Sequence, residues 1–385
     1  MDTQPLYDLA PMARMMLLGV VIAMGPLAWV WLRNRRAPAA QRLRVLTLVT
    51  LFVTFDLVLF GAFTRLTDSG LGCPDSPGCY GTASPLGARA DISAAQEAMP
   101  TGPVTHSKAW IEMIHRYMAT AVGVLILVLA SVSWLERKRL AVSPWWPLLT
   151  LFWVCLQGAF GALTVTMKLF PAIVTLHLLG GLVLLALLRA QSVAYALDAP
   201  GSRGPVQLPG PARAGLLLVF GLLWIQIALG GWVSTNYAVL ACSDFPACQG
   251  RWWPDMDLRQ GFAIWRELGM TATGEPLPFA ALTGIHYVHR LSAYVVFAAM
   301  GWLAWRLWTV PGMRNTARGL VALALWQFFS GLSNVVLDWP LLIAVAHTGG
   351  AAALVIVLTG AVAGTRTAAR DGVHAAPYNI SRSTR

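Results

Sequence analysis

The chain of 385 residues is 57% hydrophobic and only 12% charged, and it contains 17 tryptophans. This composition excludes an ordinary soluble globular protein, in which the share of charged residues is about twice as large. The net charge of +11 at pH 7 could indicate a nucleic-acid partner. We expect no such partner, because the basic residues are distributed between long apolar runs.

Nine apolar runs are long enough to cross a bilayer, which takes about 20 residues of helix. They lie at about residues 15–32, 43–63, 110–135, 145–167, 171–190, 214–235, 282–306, 318–337 and 340–364. The sequence therefore predicts an all-α integral membrane protein that crosses the lipid bilayer several times.

Basic residues concentrate in alternate connections between these runs. The connection between the first two runs is the richest and contains Arg33, Arg35, Arg36, Arg42 and Arg44. Cytoplasmic loops carry the excess of arginine and lysine. We therefore expect a protein of the bacterial inner membrane, with its N-terminus on the periplasmic side and its C-terminus in the cytoplasm. The first run is not expected to be a cleaved signal peptide, because its arginines follow the apolar stretch.

Two long loops, roughly 64–109 and 236–281, fall on the periplasmic side of this topology and contain four of the five cysteines. Disulfides persist in that oxidising compartment. Zinc binding is the alternative, but neither loop offers clustered histidines beside its cysteines. The sequence favours one local disulfide in each loop, Cys73–Cys79 and Cys242–Cys248.

The chain contains an internal repeat. Residues 61–81 (GAFTRLTDSGLGCPDSPGCYG) align without gaps with residues 230–250 (GGWVSTNYAVLACSDFPACQG), and QGAFGALT at 157–164 corresponds to QFFSGLSN at 327–334. Both halves begin on the inner side, so the repeat is parallel. We expect two tandem four-helix bundles, related by a pseudo-two-fold axis along the membrane normal, plus one extra N-terminal transmembrane helix.

This repeat predicts five segments. They are an N-terminal helix with a basic cytoplasmic loop (1–42), an N-terminal bundle (43–190), a cytoplasmic linker (191–213), a C-terminal bundle (214–364) and a cytoplasmic tail (365–385).

Four histidines occupy equivalent positions in the repeat. His115 and His289 are on the second helix of their bundles, and His177 and His347 are on the fourth. Each lies about five to eight residues inside the outer end of its helix, a depth of roughly 8–12 Å. Two level imidazoles on facing helices commonly hold haem iron. Zinc needs three or four ligands, and histidines of a proton relay follow one another along a path. The sequence predicts a haem-type site in each bundle.

The bundles differ one turn before the first histidine of each pair. The motifs are E-x-x-H-R, at Glu112, His115 and Arg116, and H-x-x-H-R, at His286, His289 and Arg290. Residues i and i+3 share a helix face, so Glu112 lies above the edge of whatever His115 binds. A carboxylate that offsets the helix dipole is the alternative. The asymmetry favours chemistry in the N-terminal bundle, with Glu112 as a base or as a stabiliser of positive charge on carbon.

The stretches RLTDSGLGCPDSPGCYG, EMIHR, HLLGG, HYVHR and AHTGG, in this order within residues 43–364, closely resemble the haem A synthase family. The resemblance implies an oxidoreductase that converts the methyl group at position 8 of haem O to a formyl group through successive hydroxylations. The product, haem A, serves terminal oxidases. The family core has eight helices, so the extra N-terminal helix is a departure from it.

The resemblance also implies the role of each site residue. Glu112 matches the catalytic glutamate. His115 and His177 would bind the iron of the substrate haem O in the N-terminal bundle, and His289 and His347 would bind a cofactor haem b in the C-terminal bundle. The cysteines match those family members that carry disulfides.

Three arginines near the outer helix ends are candidates for contact with haem propionates, with snorkelling as the alternative. They are Arg65, Arg116 and Arg290. The expected partners are the lipid bilayer and a haem O synthase that donates the substrate. A homo-oligomer is compatible with the sequence, which specifies neither the oligomeric state nor the electron acceptor.

Two other functions would use some of the same features. A di-haem b-type cytochrome that transfers electrons from quinol would use the same four histidines, but it would not need a glutamate at one site only. A transporter with a two-fold repeat would need discontinuous helices at the midplane, and the polar residues instead cluster near one face.

Overall fold

The computed structural model describes residues 10–199, 201–202 and 204–368. In chain order the helices are α1 (Ala10–Asn34), α2 (Ala39–Leu66), α3 (Arg89–Ala98), α4 (His106–Leu135), α5 (Trp145–Thr166), α6 (Pro171–Leu197), α7 (Gly210–Thr235), α8 (Leu258–Gly261), α9 (Phe279–Trp308), α10 (Arg314–Val336) and α11 (Leu341–Ala363). All of these except α3 and α8 are long and apolar enough to cross a membrane, which makes nine within the described residues. The prediction of an all-α, multi-pass membrane protein is confirmed. Most of the expected tail, 369–385, lies outside the described residues.

Local sequence determines where these helices begin. Proline precedes α2, α5, α7, α9 and α11, where its fixed φ suits the entry to a helix and its missing N–H costs nothing. The helix α4 begins four residues before the predicted start at 110. The cause is Thr105, whose Oγ1 accepts a hydrogen bond from the Lys108 N–H at 3.3 Å and so caps the helix.

The spanning helices pack as two groups of four. The N-terminal group consists of α2, α4, α5 and α6, and the C-terminal group consists of α7, α9, α10 and α11. The groups meet where α11 packs against α6 and α2 and where α6 packs against α7. One apolar core runs through both groups and includes the fully buried Leu125, Leu185, Leu216, Leu303 and Leu358. The composition of the groups agrees with the repeat, whereas the pseudo-two-fold axis and the domain roles stay predictions.

The extra helix α1 packs outside the N-terminal group, mainly against α4. A Cβ atom on Gly19 would lie 2.5 Å from Cγ2 of Thr120, so only glycine permits this close approach of the two helices. Near the end of α1 that adjoins Cys73 and Cys79, Met15 is buried in a cluster with these two cysteines and with Met113 and Tyr117. The helix α1 therefore packs against the segment of α4 that carries Glu112.

Two short strands were not predicted. Strand β1 (Val206–Leu208) lies in the linker and pairs in parallel with β2 (Thr365–Thr367), which follows α11. Arg213 strengthens the junction, because its Nη1 donates to the carbonyl of Val362 at 2.9 Å and to Oγ1 of Thr365 at 2.5 Å. The connection is also shorter than the expected 191–213, since α6 continues to Leu197 and α7 begins at Gly210.

Candidate functional site

The four predicted histidines form two pairs, one inside each helix group. His115 on α4 and His177 on α6 belong to the N-terminal group, and His289 on α9 and His347 on α11 belong to the C-terminal group. In each group the two helices that carry the histidines both pack against the same neighbouring helices, α2 and α5 in the N-terminal group and α7 and α10 in the C-terminal group. All four side chains are half-buried. The structure therefore places each predicted pair inside one helix group, and the role of the four histidines as iron ligands stays a prediction.

Each of these imidazoles rests against a glycine on the neighbouring helix. A Cβ atom would lie 3.0 Å from Cε1 of His115 if placed on Gly61, and 3.0 Å from Cε1 of His289 if placed on Gly230. The corresponding distances are 3.4 Å for Gly161 and His177 and 3.2 Å for Gly331 and His347. Carbon atoms prefer to be about 3.5–4.0 Å apart, so a side chain on Gly61, Gly230 or Gly331 would push the ring from its position. At Gly161 the distance is that of an ordinary contact. These contacts were not predicted from the sequence, although the glycines occupy equivalent positions in the repeat.

The ring nitrogens differ between the two groups. In the C-terminal group, Nδ1 of His289 lies 3.1 Å from the amide of Gln226, and Nδ1 of His347 lies 2.9 Å from Oγ of Ser330. In the N-terminal group, Nδ1 of His115 and Nδ1 of His177 are buried without a hydrogen-bond partner. The other nitrogen, Nε2, accepts or donates no hydrogen bond in any of the four rings within the described part of the chain.

These features fit haem better than a bare metal ion. Haem iron takes only two axial ligands from the protein, and each group offers two imidazoles whose Nε2 atoms are free of protein partners. No third histidine, cysteine, aspartate or glutamate completes a metal cluster at either pair among the described residues, and zinc would need one or two more ligands. An aromatic wall is also present, since Phe60 stacks on His115 with ring centroids 6.4 Å apart and planes 10° apart.

Glu112 is fixed from both sides. The side chain is only 4% exposed. Its Oε2 accepts a hydrogen bond from the backbone N–H of Cys73 at 2.7 Å, and its Oε1 forms an ion pair with Arg116 one turn along α4. Burial without partners would be costly for a carboxylate. These contacts therefore hold a buried carboxylate in one orientation, one turn from His115.

The equivalent residue in the C-terminal group, His286, makes contacts of a different kind. Its Nδ1 lies 3.0 Å from the carbonyl of Ala238, and its Nε2 accepts a hydrogen bond from Nε of Arg290 at 3.2 Å. Both ring nitrogens are thus bound within the protein, and the ring is 5% exposed. The position that holds an acid in the N-terminal group holds a fully partnered imidazole in the C-terminal group.

The loops that carry the cysteines are built alike. The first cysteine loop (residues 67–105) joins α2 to α4, and the second cysteine loop (residues 236–278) joins α7 to α9. The sulfur atoms are 2.07 Å apart for Cys73 and Cys79 and 1.95 Å apart for Cys242 and Cys248, so each predicted pair is joined. This arrangement leaves no thiolate of these four for zinc.

One aspartate organises the turn in each disulfide. Asp75 accepts hydrogen bonds from the N–H groups of Tyr80 at 2.6 Å and Gly81 at 2.7 Å. Asp244 accepts from the N–H groups of Gln249 at 2.7 Å and Gly250 at 2.9 Å. The N–H of Gly250 is the main reason why the pKa of Asp244 lies below its usual value of 3.8.

Arg116 and Arg290 bind these turns to the helices. Arg116 Nη1 donates to the carbonyls of Asp75 at 2.8 Å and Pro77 at 3.2 Å, and to that of Gly78. Arg290 donates to the carbonyls of Cys242 at 2.6 Å, Asp244 at 2.8 Å and Ala247 at 3.0 Å. The contact of these two arginines with propionates stays a prediction. The contacts described here give them a different role, which is to anchor the disulfide turns.

Arg65 lies where the two groups meet. Its Nη2 donates to the carbonyl of Ser234 at 2.7 Å, and its guanidinium stacks over the ring of Tyr237 at 4.0 Å from the centroid. The hydroxyl of Tyr237 in turn donates to Oδ1 of Asp68 at 2.6 Å. In the repeat, Arg65 corresponds to Ser234 and Asp68 to Tyr237, so equivalent residues of the two halves touch each other.

Comparison with known proteins finds relatives along most of the chain. A heme A synthase of Shewanella oneidensis is 38% identical over 316 residues, which cover 80% of this chain and 92% of the relative. A heme A synthase of Halalkalibacterium halodurans is 24% identical and covers 76% of this chain and 86% of the relative. One from Bradyrhizobium sp. strain ORS 278 is 28% identical and covers 80% and 85%, respectively.

The match to a family model extends through both helix groups. Residues 44–359 match the family COX15-CtaA, described as cytochrome oxidase assembly protein. This range begins after α1, which agrees with the expectation that the extra helix stands outside the family core. It includes both histidine pairs, Glu112 and both disulfides. The chain belongs to the COX15-CtaA family of cytochrome oxidase assembly proteins.

Proposed function

We propose that this protein is a haem A synthase, which oxidises the methyl group at position 8 of haem O to a formyl group and so supplies haem A for the assembly of terminal oxidases. The observation that carries the proposal is the asymmetry between the two histidine pairs: among the described residues, a buried carboxylate, Glu112, lies one turn from the N-terminal pair, and His286 takes its place in the C-terminal group. The names of the relatives support the same reaction.

The two pairs have separate roles in this proposal. His115 and His177 hold the iron of the substrate, haem O, and His289 and His347 hold a resident haem b. When bound, haem b supplies one-electron redox chemistry through its iron. The protein's own contribution in the C-terminal group is to fix both imidazoles, since Gln226 and Ser330 contact their Nδ1 atoms.

Glu112 acts on the substrate as a fixed carboxylate. Its two oxygens are bound by the Cys73 N–H and by Arg116, and these two contacts restrict rotation of the Glu112 side chain. A carboxylate in a buried site can take a proton from the reacting carbon or offset positive charge that develops there. The ion pair with Arg116 supports the second role, because an oriented charge acts without reorganisation.

The proposed orientation follows from charge and disulfide chemistry. Both cysteine loops lie at one end of the helix groups and carry disulfides, which form in oxidising compartments. The arginine-rich connection between α1 and α2 lies at the opposite end, which favours the cytoplasm. We therefore place the protein in the bacterial inner membrane, with the cysteine loops in the periplasm and the C-terminus in the cytoplasm. A haem O synthase in the same membrane would donate the substrate.

The test is a pigment analysis of the full-length protein. The protein is purified from cells with and without haem O synthesis, as wild type and as His115→Ala and His289→Ala, and its haems are extracted and separated. We expect His115→Ala to keep the b-type spectrum and lose haem O and haem A, and His289→Ala to lose the b-type spectrum. If both sites contained haem b regardless of haem O supply, the protein would instead be a di-haem cytochrome.

A further inference from the structure

The two helix groups differ in a second way, besides the presence of Glu112 in one of them. The Nδ1 atoms of the two histidine pairs have different surroundings. An imidazole that binds iron through Nε2 carries its proton on Nδ1, and a partner that accepts this proton fixes the ring and strengthens the ligand. In the C-terminal pair, Nδ1 of His347 faces a hydroxyl that can accept this proton, and Nδ1 of His289 faces the side-chain amide of Gln226. Among the described residues, neither Nδ1 of the N-terminal pair has a hydrogen-bond partner.

Ser330 is well placed to accept from His347. Its hydroxyl is 2.9 Å from Nδ1 and donates its own proton to the carbonyl of Trp326 at 2.6 Å, which leaves its lone pairs for the imidazole N–H. Ser330 is 5% exposed, so water does not compete for this bond. The geometry thus selects the tautomer of His347 that leaves Nε2 free for iron.

Gln226 contacts His289 in a similar way. Its amide nitrogen lies 3.1 Å from Nδ1 and 3.2 Å from the carbonyl of the same histidine, while its Oε1 is buried without a partner. Rotation of the amide by half a turn exchanges the two atoms. Oε1 then accepts a hydrogen bond from the Nδ1–H of an iron-bound His289, and the bond from the amide nitrogen to the His289 carbonyl is given up.

The equivalent positions in the N-terminal group are apolar. Leu57 stands one turn before Gly61, as Gln226 stands one turn before Gly230, and Phe160 precedes Gly161 as Ser330 precedes Gly331. Leu57 and Phe160 therefore hold the repeat positions that Gln226 and Ser330 hold in the C-terminal group. Neither can accept the Nδ1 proton of His115 or His177.

We propose that Gln226 and Ser330 are positioning residues that lock His289 and His347 as ligands of a permanently bound haem, and that Leu57 and Phe160 leave the N-terminal ligands unlocked so that haem there exchanges. This rests on the proposed function, since a synthase must retain its cofactor and release its product. Loss of a hydrogen bond to a metal-binding histidine typically weakens metal affinity by about 10- to 100-fold.

The experiment follows transfer of haem from the purified full-length protein to excess apomyoglobin. Wild type should show a fast and a slow phase, with the fast phase absent in His115→Ala and the slow phase absent in His289→Ala. We expect Gln226→Leu and Ser330→Ala each to accelerate the slow phase by about 10- to 100-fold, and Leu57→Gln to slow the fast phase. Gln327→Leu is the control, because Gln327 donates to the main-chain carbonyl of His347 at 2.9 Å and not to its ring.

A redox titration separates positioning from packing. Removal of the acceptor in Gln226→Leu should raise the midpoint potential of the b-type haem, and the stronger acceptor in Gln226→Glu should lower it. A packing defect would move both variants in the same direction. Ser330→Thr, which keeps the hydroxyl, should restore the slow phase that Ser330→Ala loses.

Each outcome bears on a distinct claim. An unchanged slow phase in Gln226→Leu and Ser330→Ala, or potential shifts of the same sign, would overturn the positioning role even if both phases depend on their histidines as expected. Absence of haem from the wild-type protein would overturn the proposed function itself.

Discussion

Replacing Gly230 by alanine tests whether the C-terminal pair is built around a closely fitted imidazole. The added Cβ would lie 3.0 Å from Cε1 of His289, which is about 0.5–1 Å closer than carbon atoms prefer. The neighbour on the other side of the contact is a ring fixed by Gln226, so it cannot move without losing that bond. The ring must therefore shift away from the position that the native fold gives it.

The expected loss of haem b affinity follows from the energetic cost of overpacking. Inserting a methyl group into a well-packed interior costs about 1–3 kcal/mol, which corresponds to a factor of about 5–150 in an equilibrium constant. We expect this cost to appear as weaker haem b binding, because displacement of His289 relieves the overlap. Gly331→Ala, with 3.2 Å to His347, should have a smaller effect than Gly230→Ala.

Gly221→Ala is the matched control. Gly221 is on the same helix, α7, and a Cβ there would have no atom within 4 Å. Both substitutions raise helix propensity by about 1 kcal/mol, so that contribution cancels in the comparison. Haem b per protein and its rate of transfer to apomyoglobin are measured for both variants. Equal haem retention in Gly230→Ala and Gly221→Ala would refute the reasoning.

Three further predictions concern the acid, the second cysteine loop and the contact between halves. Glu112→Ala should abolish haem A in extracted pigments while the b-type spectrum persists; wild-type amounts of haem A would exclude a catalytic role. The pKa of Asp244 is lowered mainly by the N–H of Gly250, so its contribution to loop stability is complete above the usual value of 3.8 and disappears as pH falls through the lower folded pKa. Hydrogen-exchange protection in the second cysteine loop, corrected for the intrinsic effect of pH on amide exchange, should fall in that acidic range. In Asp244→Asn the protection should already be lower at neutral pH and should show no acid step; an acid step that persists in this variant would assign it to another group. Arg65→Ala should lower thermal stability in detergent more than Tyr237→Phe does, because Arg65 is 13% exposed whereas the Asp68 partner of Tyr237 is 58% exposed; the reverse order would contradict this assignment.

The repeat is why much of the architecture could be predicted from sequence. Each apolar run became a helix, and the arginine-rich connection lies at the end opposite the cysteine loops. The disulfides could be predicted because cysteines so close in sequence need only a turn between them. The repeat also predicts that each histidine pair lies within one helix group, which agrees with the helices that carry them. These patterns depend on spacing along the chain, which sequence records directly.

Contacts that depend on the rotation of one helix about its axis could not be predicted. Nothing in the position of Gln226 along the sequence indicates that its side chain meets the ring of His289. The contact of Arg116 with three loop carbonyls depends on how the first cysteine loop folds back over α4, which apolar periodicity does not specify. Strands β1 and β2 are three residues each, too short to show alternation of polar and apolar residues.

The meeting of Asp68 with Tyr237 bears on how such a chain can arise. In a dimer of two identical halves, a residue beside the two-fold axis faces its own copy, so an aspartate would oppose an aspartate and a tyrosine a tyrosine. Fusion of both halves into one polypeptide removes that constraint, and the two positions can then diverge into a donor and an acceptor. The same freedom allows one half to acquire an acid where the other has an imidazole, a difference that the two chains of a symmetric homodimer cannot have.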